Sequence, residues 1–330
     1  MRYVVYGAGA IGSGIGGHLF RTGHEAVLVG RPGHVGRIRE RGLELITPAE
    51  TYHLHVPAVS TAAEVGFTAG DIVLLCVKSQ DTDRALGEIR AAGGDPQTLP
   101  IFCCQNSITN EPAALRYFRR VYGVMIVVPG VFLEDGVVHN PIRGNAGFIE
   151  IGLFPGGVDD PAAEVAAALA QASYAALPNA QVMAAKGAKM LGNLGNALGA
   201  ITDGRGDGKG YMAEVRREAT ACFAAAGLPL ESQDSYSART QANRGTNDPP
   251  AGLRNLGSSW QSLQRRQGSI EADFLNGEIV RLGRLHRVPT PYNEVLQDVA
   301  NAMAVRQEMP GKYSAEDLEH IAQARLSATA

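Results

Sequence analysis

Gly7, Gly9 and Gly12 stand in the spacing G-x-G-x-x-G directly after the β-branched and aromatic run Arg2–Tyr6. A glycine turn in this place does three physical jobs. Gly7 permits a tight turn, Gly9 lets the backbone approach a pyrophosphate, and Gly12 lets the next helix pack close to the strand. That helix starts at Ala10, Ile11 and Gly12, whose N–H groups and positive dipole end suit phosphate. The pattern alone is weak. The strand before it, the apolar helical pattern to Phe20 and the second strand Glu25–Val29 supply the context of dinucleotide binding.

The end of that second strand selects the nucleotide. An acid there accepts from the ribose 2′-OH of NAD, whereas an arginine suits a 2′-phosphate. Gly30-Arg31 occupy the place, with His34, Arg37 and Arg39 behind. Arg31 therefore points to NADP(H), and Arg37 and Arg39 read as a solvated basic loop.

Lys189, Asn193 and Asn196 fall at i, i+4 and i+7, one face of a helix, with Lys186 just before them. On spacing alone a lysine face is ordinarily solvated. Here the surrounding MLGNLGNALGAI is small and apolar, so its asparagines need partners. Glu271 and Asp273 are two apart and face different sides; one can line a cleft while the other caps or pairs. His53 and His55 share a strand face, but no carboxylate or cysteine pattern completes a metal site, so no metal is expected. Cys103-Cys104 is adjacent, not C-x-x-C, and sits in an apolar run, which favours packing over redox work.

These residues need elements to position them. Strands are expected at 71–78 and 100–106, and further on at 121–128, 131–139 and 147–152. Residues 42–60 read as a hairpin or two short strands. Helices fit 84–92, 111–118 and 161–175. After about residue 184 the pattern is helical, with helices near 185–202, 211–226, 256–284, 291–306 and 314–325. The expected class is α/β: an N-terminal Rossmann-type dinucleotide-binding domain, 1–180, and a C-terminal all-helical domain, 181–330. The polar stretch 231–257, with Pro249-Pro250, reads as a long mobile loop.

Composition narrows the classes. The 330 residues are 45% apolar and 19% charged, which excludes a disordered chain. A net charge of −3 implies no broad basic face, so no nucleic-acid partner is expected. No apolar run approaches the 18 or more residues of a membrane span, so no membrane partner is expected either. The N-terminus lacks the pattern of a signal peptide, and a cytoplasmic location is the expectation.

At this point the sequence resembles the ketopantoate reductase (2-dehydropantoate 2-reductase) family over nearly its whole length. GAGAIG resembles the family's opening, and DIVLLCVKSQDT its strand with a lysine beside the cofactor, which maps to Lys78. CQNSITNE resembles the segment with an asparagine at the nicotinamide, Asn106. KMLGNLGNALGAI resembles the helix with the catalytic lysine and two asparagines. SSWQSLQRRQGSIEADFLNGEIVRLGR resembles the segment with a serine and a glutamate at the substrate, and VPTPYN the closing turn.

The resemblance implies catalytic Lys189 and Glu271, and substrate contacts from Asn106, Asn193, Asn196 and Ser259. It implies a dinucleotide on Gly7, Gly9, Ala10, Ile11, Gly12, Arg31, Lys78 and Asn106. It also implies a small 2-oxo acid as partner and a possible homodimer, of which the residues themselves carry no sign. The sequence departs from the family at several points. Asn196 lies seven residues after Lys189 where the family has eight. Ser107 stands where the family has glycine. Counting back from Glu271 selects Ser259, while matching Gln261 selects Ser258. The leading expectation is NADPH-dependent reduction of ketopantoate to pantoate with lysine as general acid. A same-fold reductase of another 2-oxo acid and a non-catalytic NADP-sensing module are the alternatives.

Overall fold

The computed structural model describes residues 1–248 and 257–329; Pro249-Pro250 and the remainder of 249–256 lie outside them. The chain divides into two units, Met1–Lys186 with Ser232–Leu253, and Gly187–Glu231 with Arg254–Ala330.

In the first unit, β1 (Arg2–Tyr6), α1 (Ala10–Arg21) and β2 (Glu25–Val29) form the expected strand–helix–strand start. Next come α2 (Pro32–Arg41), the antiparallel pair β3 (Leu43–Ile46) and β4 (Thr51–Leu54), and the short β5 (Ala58–Val59). They are followed by β6 (Asp71–Leu75), α3 (Thr82–Ala91), β7 (Pro100–Cys103), α4 (Asn110–Ala114) and β8 (Arg120–Val127). The hairpin β9 (Val131–Glu134) and β10 (Val137–His139) precedes β11 (Ile142–Arg143) and β12 (Phe148–Leu153). The last are α5 (Asp160–Gln171), β13 (Ala175–Pro178) and α6 (Val182–Asn193), which begins in this unit.

Eight strands make the main sheet in the order β13-β12-β8-β7-β6-β1-β2-β5. Every pair from β5 across to β8 is parallel. β12 runs antiparallel to β8, with β13 parallel beside it. Such strands are covered on both faces, which is why residues 72–75 and Pro100–Cys103 are unbroken apolar runs. Side chains alternate between the two layers. Tyr3, Val5, Leu28 and Leu74 pack with Ile15 and Leu19 of α1 and with Leu169 of α5. Val4, Tyr6, Val73 and Leu75 pack with Leu86 and Ile89 of α3. From β1 the chain passes to β2 on one side and returns to β6 on the other. The reversal lies at the carboxyl ends of β1 and β6, the kind of place where open parallel sheets bind ligands.

Several local expectations are corrected, among them the strand expected over 131–139, which is the hairpin β9–β10 turning at Asp135-Gly136. Residues 32–41 form α2 rather than a solvated loop. It is entered through Pro32 in its first turn and buries His34, Val35 and Ile38. The polar stretch expected to be a mobile loop holds α9 (Gln233–Asn243) and β14 (Thr246–Asn247). β14 pairs with β11, and Arg239 donates two bonds to the buried Glu150 of β12, at 2.8 and 3.1 Å. The helix expected over 185–202 is interrupted at Leu194, giving α6 and α7 (Gly195–Thr202). Gly192 and Gly195 flank the interruption, and glycine costs a helix interior about 1 kcal/mol against alanine.

Among the described residues, the elements of the second unit are helical. α8 (Lys209–Ala225), α10 (Ser258–Gln264), a 3-10 turn (Glu271–Phe274), α11 (Asn276–His286), α12 (Pro291–Val305) and α13 (Ala315–Thr329) follow α7. The single helix expected over 256–284 is therefore three pieces.

A buried carboxylate organises this bundle. Glu218 of α8 accepts from the backbone N–H groups of Tyr292 and Asn293, both at 3.0 Å, capping the start of α12. It also accepts from the Asn293 side chain at 2.7 Å. Asn276 continues the chain of bonds, donating to Asn293 Oδ1 and to the Leu194 carbonyl at the helix interruption. Burial raises the Glu218 carboxyl above its ordinary value, against the opposing pull of those bonds.

Candidate active site

The first unit gathers the dinucleotide candidates at one edge of its sheet. Gly7–Gly12 follow β1, Arg31 follows β2, Lys78 follows β6 and Asn106 follows β7. The glycines separate by role. Gly7 has φ +109, and a Cβ there would stand 2.5 Å from Val77 N. A Cβ on Gly12 would stand 2.2 Å from the Gly7 carbonyl oxygen and 3.1 Å from Cys76 Cβ. Gly9 is different, because a Cβ there would meet nothing within 4 Å. Gly7 and Gly12 thus serve the turn's own packing, while Gly9 faces open space.

Gly9 is also the cap residue of α1. No side chain caps this helix, and its first turn contains no acid. An anion placed there meets the N–H groups that a helix leaves without partners, and no competing carboxylate. The residues present therefore fit a dinucleotide pyrophosphate.

Arg31 lies at the start of α2 and is exposed. The other three arginines of this segment are paired, Arg37 and Arg41 with Glu40, and Arg39 with Glu64 and the Ala58 carbonyl. No carboxylate among the described residues pairs with Arg31.

Lys78 and Asn106 stand half-buried on a polar mount that sequence reading missed. Gln105 donates to the Val77 carbonyl at 3.0 Å and to Thr82 at 2.8 Å, tying the ends of β6 and β7 together. Thr82 donates to Asn110 Oδ1, and Asn110 donates to the Asn106 carbonyl at 2.8 Å and to Ser79. Beneath them, Lys186 donates to the carbonyls of Cys103 and Gln105 and to the buried carboxylate of Glu111. An ammonium has three donors, and all three are engaged. Burial pushes the Glu111 carboxyl up, and the Lys186 ammonium pulls it back down. Ser107 has φ +72, the left-handed region, which costs a non-glycine residue about 1–2 kcal/mol. Its hydroxyl lies 3.2 Å from that of Thr109, a local bond at the turn.

The second unit carries the remaining candidates. Lys189 and Asn193, four apart on α6, share one helix face and are both half-buried. Asn196 lies beyond the interruption, on α7, so a continuous i+7 step does not place it. Its Oδ1 would be 3.3 Å from a Cβ on Gly257, the residue that starts α10. On α10, Ser259 is buried at 2% exposure and Ser258 is half-buried. Trp260 donates to Asp203 at the end of α7, which fixes the two helices together. Glu271 is buried in the 3-10 turn, whereas the exposed Asp273 accepts from Gln297 and Asn301 of α12. Asp273 thus anchors α12.

His53 and His55 are exposed, and no group of three or more metal-binding side chains occurs among the described residues. Among them, too, no helix is long and apolar enough to cross a membrane.

Comparison with known proteins gives the family and the fold of the chain. The model of the family described as ketopantoate reductase PanE/ApbA matches residues 3–156. The model of its C-terminal part matches residues 181–304. The 2-dehydropantoate 2-reductase of Pyrococcus horikoshii is 28% identical over 315 residues, covering 92% of this chain and 97% of that protein. The enzyme of the same name from Aquifex aeolicus is 28% identical over 323 residues, covering 92% and 96%. The crystal structure of a PanE/ApbA family ketopantoate reductase from Ralstonia eutropha has a TM-score of 0.78 at 29% identity, covering 93% of this chain and 99% of that one. A ternary structure of D-mandelate dehydrogenase with NADH and anilino(oxo)acetate has the same TM-score at 23% identity, again covering 93% and 99%, and shares the fold.

Proposed function

Because the chain belongs to the ketopantoate reductase family, an oxidoreductase family, we propose that it reduces a 2-oxo acid with NADPH, with ketopantoate to pantoate as the leading reaction. The observation that carries this reading is the glycine turn at the end of β1, open at Gly9 and followed by Arg31, with which no carboxylate pairs among the described residues. A nicotinamide dinucleotide bound along this edge would supply a hydride to the keto carbon. Arg31 would pair with the 2′-phosphate, the N–H groups at Ala10, Ile11 and Gly12 would hold the pyrophosphate, and Lys78 and Asn106 would serve the nicotinamide end.

Negative charge that develops on the keto oxygen needs a positive donor or a proton. Lys189 supplies both, as an ammonium on a helix. Asn193, one turn on, orients the ammonium and the substrate. Glu271 keeps Lys189 charged or accepts from a substrate hydroxyl. Asn196 and Ser259 complete the contacts to the acid. Lys186 is unsuited to the acid's role because its donors are already engaged.

A second reading, a different 2-oxo acid, is favoured by the helix interruption before Asn196, which departs from the family's spacing. The relative solved with NADH and anilino(oxo)acetate shares the fold and binds another cofactor and another oxo acid. The test is oxidation of NADPH and of NADH, followed by absorbance, against a panel of 2-oxo acids that includes ketopantoate. The expected result is a preference for NADPH and the highest kcat/KM with ketopantoate. A value orders of magnitude lower than for another oxo acid would reject ketopantoate. No turnover with any acid, together with NADPH binding, would favour a sensing module.

A further inference from the structure

We propose that the buried Lys186–Glu111 pair is a positioning device that sets the backbone carrying Asn106; this rests on the reading that Asn106 serves the nicotinamide. Lys186 is 3% exposed and Glu111 0%. β7 ends at Cys103, so the Gln105 carbonyl has no ladder partner within a strand. Lys186 bonds that carbonyl at 3.1 Å and the Cys103 carbonyl at 3.3 Å, two residues apart on one side of the chain. The chain is thereby kept extended past the strand's end, up to the point where Ser107 turns it into the left-handed region. From the other side Asn110 fixes the Asn106 carbonyl and Gln105 fixes the Val77 carbonyl, beside Lys78.

Stability alone does not call for this arrangement. Apolar residues of similar volume often replace a buried ion pair at no loss. This pair even keeps an imperfection, since Glu111 Oε2 is buried with no hydrogen-bond partner among the described residues. What an apolar pair lacks is a donor reaching two strand-end carbonyls at once. Catalytic geometry is sensitive to such support, because misplacement by about 1 Å can lower a rate by about a hundredfold.

Two variants test the idea. Lys186→Met/Glu111→Leu removes both charges and the clamp. Glu111→Asp keeps the charges but shortens the reach, and it carries the test if the double variant does not fold. Each is measured for kcat and KM with the best 2-oxo acid, NADPH Kd, Tm, and amide hydrogen exchange over 104–107. The expected result is a kcat about tenfold or more lower, with NADPH Kd and Tm little changed, and faster exchange over 104–107. Lys186→Arg, which keeps charge and donors, should recover part of kcat. Wild-type kcat in a folded variant, or a kcat that falls only in step with Tm, overturns the proposal. If the unaltered protein turns over no oxo acid, the proposed function fails. The exchange data then decide the clamp alone, and unchanged exchange over 104–107 overturns it.

Discussion

Substituting two glycines of the same turn by alanine should break two different properties. At Gly12 the new methyl would lie 2.2 Å from the Gly7 carbonyl oxygen, a backbone atom, with Cys76 Cβ at 3.1 Å behind it. Relief requires the turn or α1 to move by about 1 Å, and overpacking of this kind costs about 1–3 kcal/mol or more. At Gly9 the methyl meets nothing within 4 Å, and φ is −96, which alanine adopts freely. Stability there should change by less than about 0.5 kcal/mol. The open space at Gly9 is, however, where the pyrophosphate must come against the backbone. The same overpacking of about 1–3 kcal/mol then falls on the complex and weakens NADPH binding about five- to 150-fold. Thermal melts of the free protein and fluorescence titration with NADPH read the two effects separately. Gly12→Ala should lower Tm by roughly 5 °C, and Gly9→Ala should leave Tm in place while raising Kd. A Gly9→Ala protein that binds NADPH as tightly as the unaltered one would refute the assignment of the turn.

Arg31→Ala should weaken NADPH binding tenfold or more, since a charge-assisted bond to phosphate is worth about 1.5–3 kcal/mol, and leave NADH binding unchanged; equal losses for both cofactors would contradict it. Lys189→Ala should lower kcat by about a hundredfold or more with NADPH Kd retained, and near-normal turnover would remove Lys189 from the acid's role. Glu218→Gln replaces an acceptor of three bonds by a group that also donates, and should cost about 2–4 kcal/mol in urea unfolding; a loss under about 0.5 kcal/mol would show that another group caps α12. Burial, and then the Arg21 charge, push the His18 imidazole from 6.5 down to about 3. The unfolded chain therefore takes up this proton first. The contribution to stability is present above pH 6.5 and is lost as pH falls toward 3, at up to about 1.4 kcal/mol per pH unit. His18→Gln should flatten that part of the unfolding profile, and an unchanged slope would refute the assignment.

The sequence made the sheet and its glycine turn legible because their signals are local. The stretch 72–75 is apolar throughout because both faces are covered, and a glycine pattern after a strand has few other uses. α2 was hidden by three arginines and two glycines, with Val35 and Ile38 as its buried apolar residues. α9 was hidden for another reason. It docks through the Arg239–Glu150 ion pair, and Thr240 is its one buried residue, so no apolar stripe marks it. The mount beneath Asn106 was illegible because its parts are far apart in the chain. Lys186 and Glu111 are 75 residues apart, and each alone reads as a solvated charge. Asp273 and Glu271 could be told apart only once Gln297 and Asn301 of α12 were seen to take Asp273.

The return of residues 232–253 to the first unit has a consequence for how this molecule can be cut or recombined. The chain passes between its units after Lys186, after Glu231 and after Leu253, so neither unit is one uninterrupted stretch of gene. A fragment ending at Lys186 would carry every strand of the main sheet yet lose α9 and β14, and with them the guanidinium on Glu150. Losing a charged donor to a buried carboxylate costs about 1–3 kcal/mol, and Glu150 is the buried member of this part-buried pair. A chimaera joined once near residue 180 would place one parent's Glu150 beneath another parent's α9. A splice that keeps both parents' units whole needs an insertion at 231–254, so halves of this fold are exchanged as nested cassettes and not as a head and a tail.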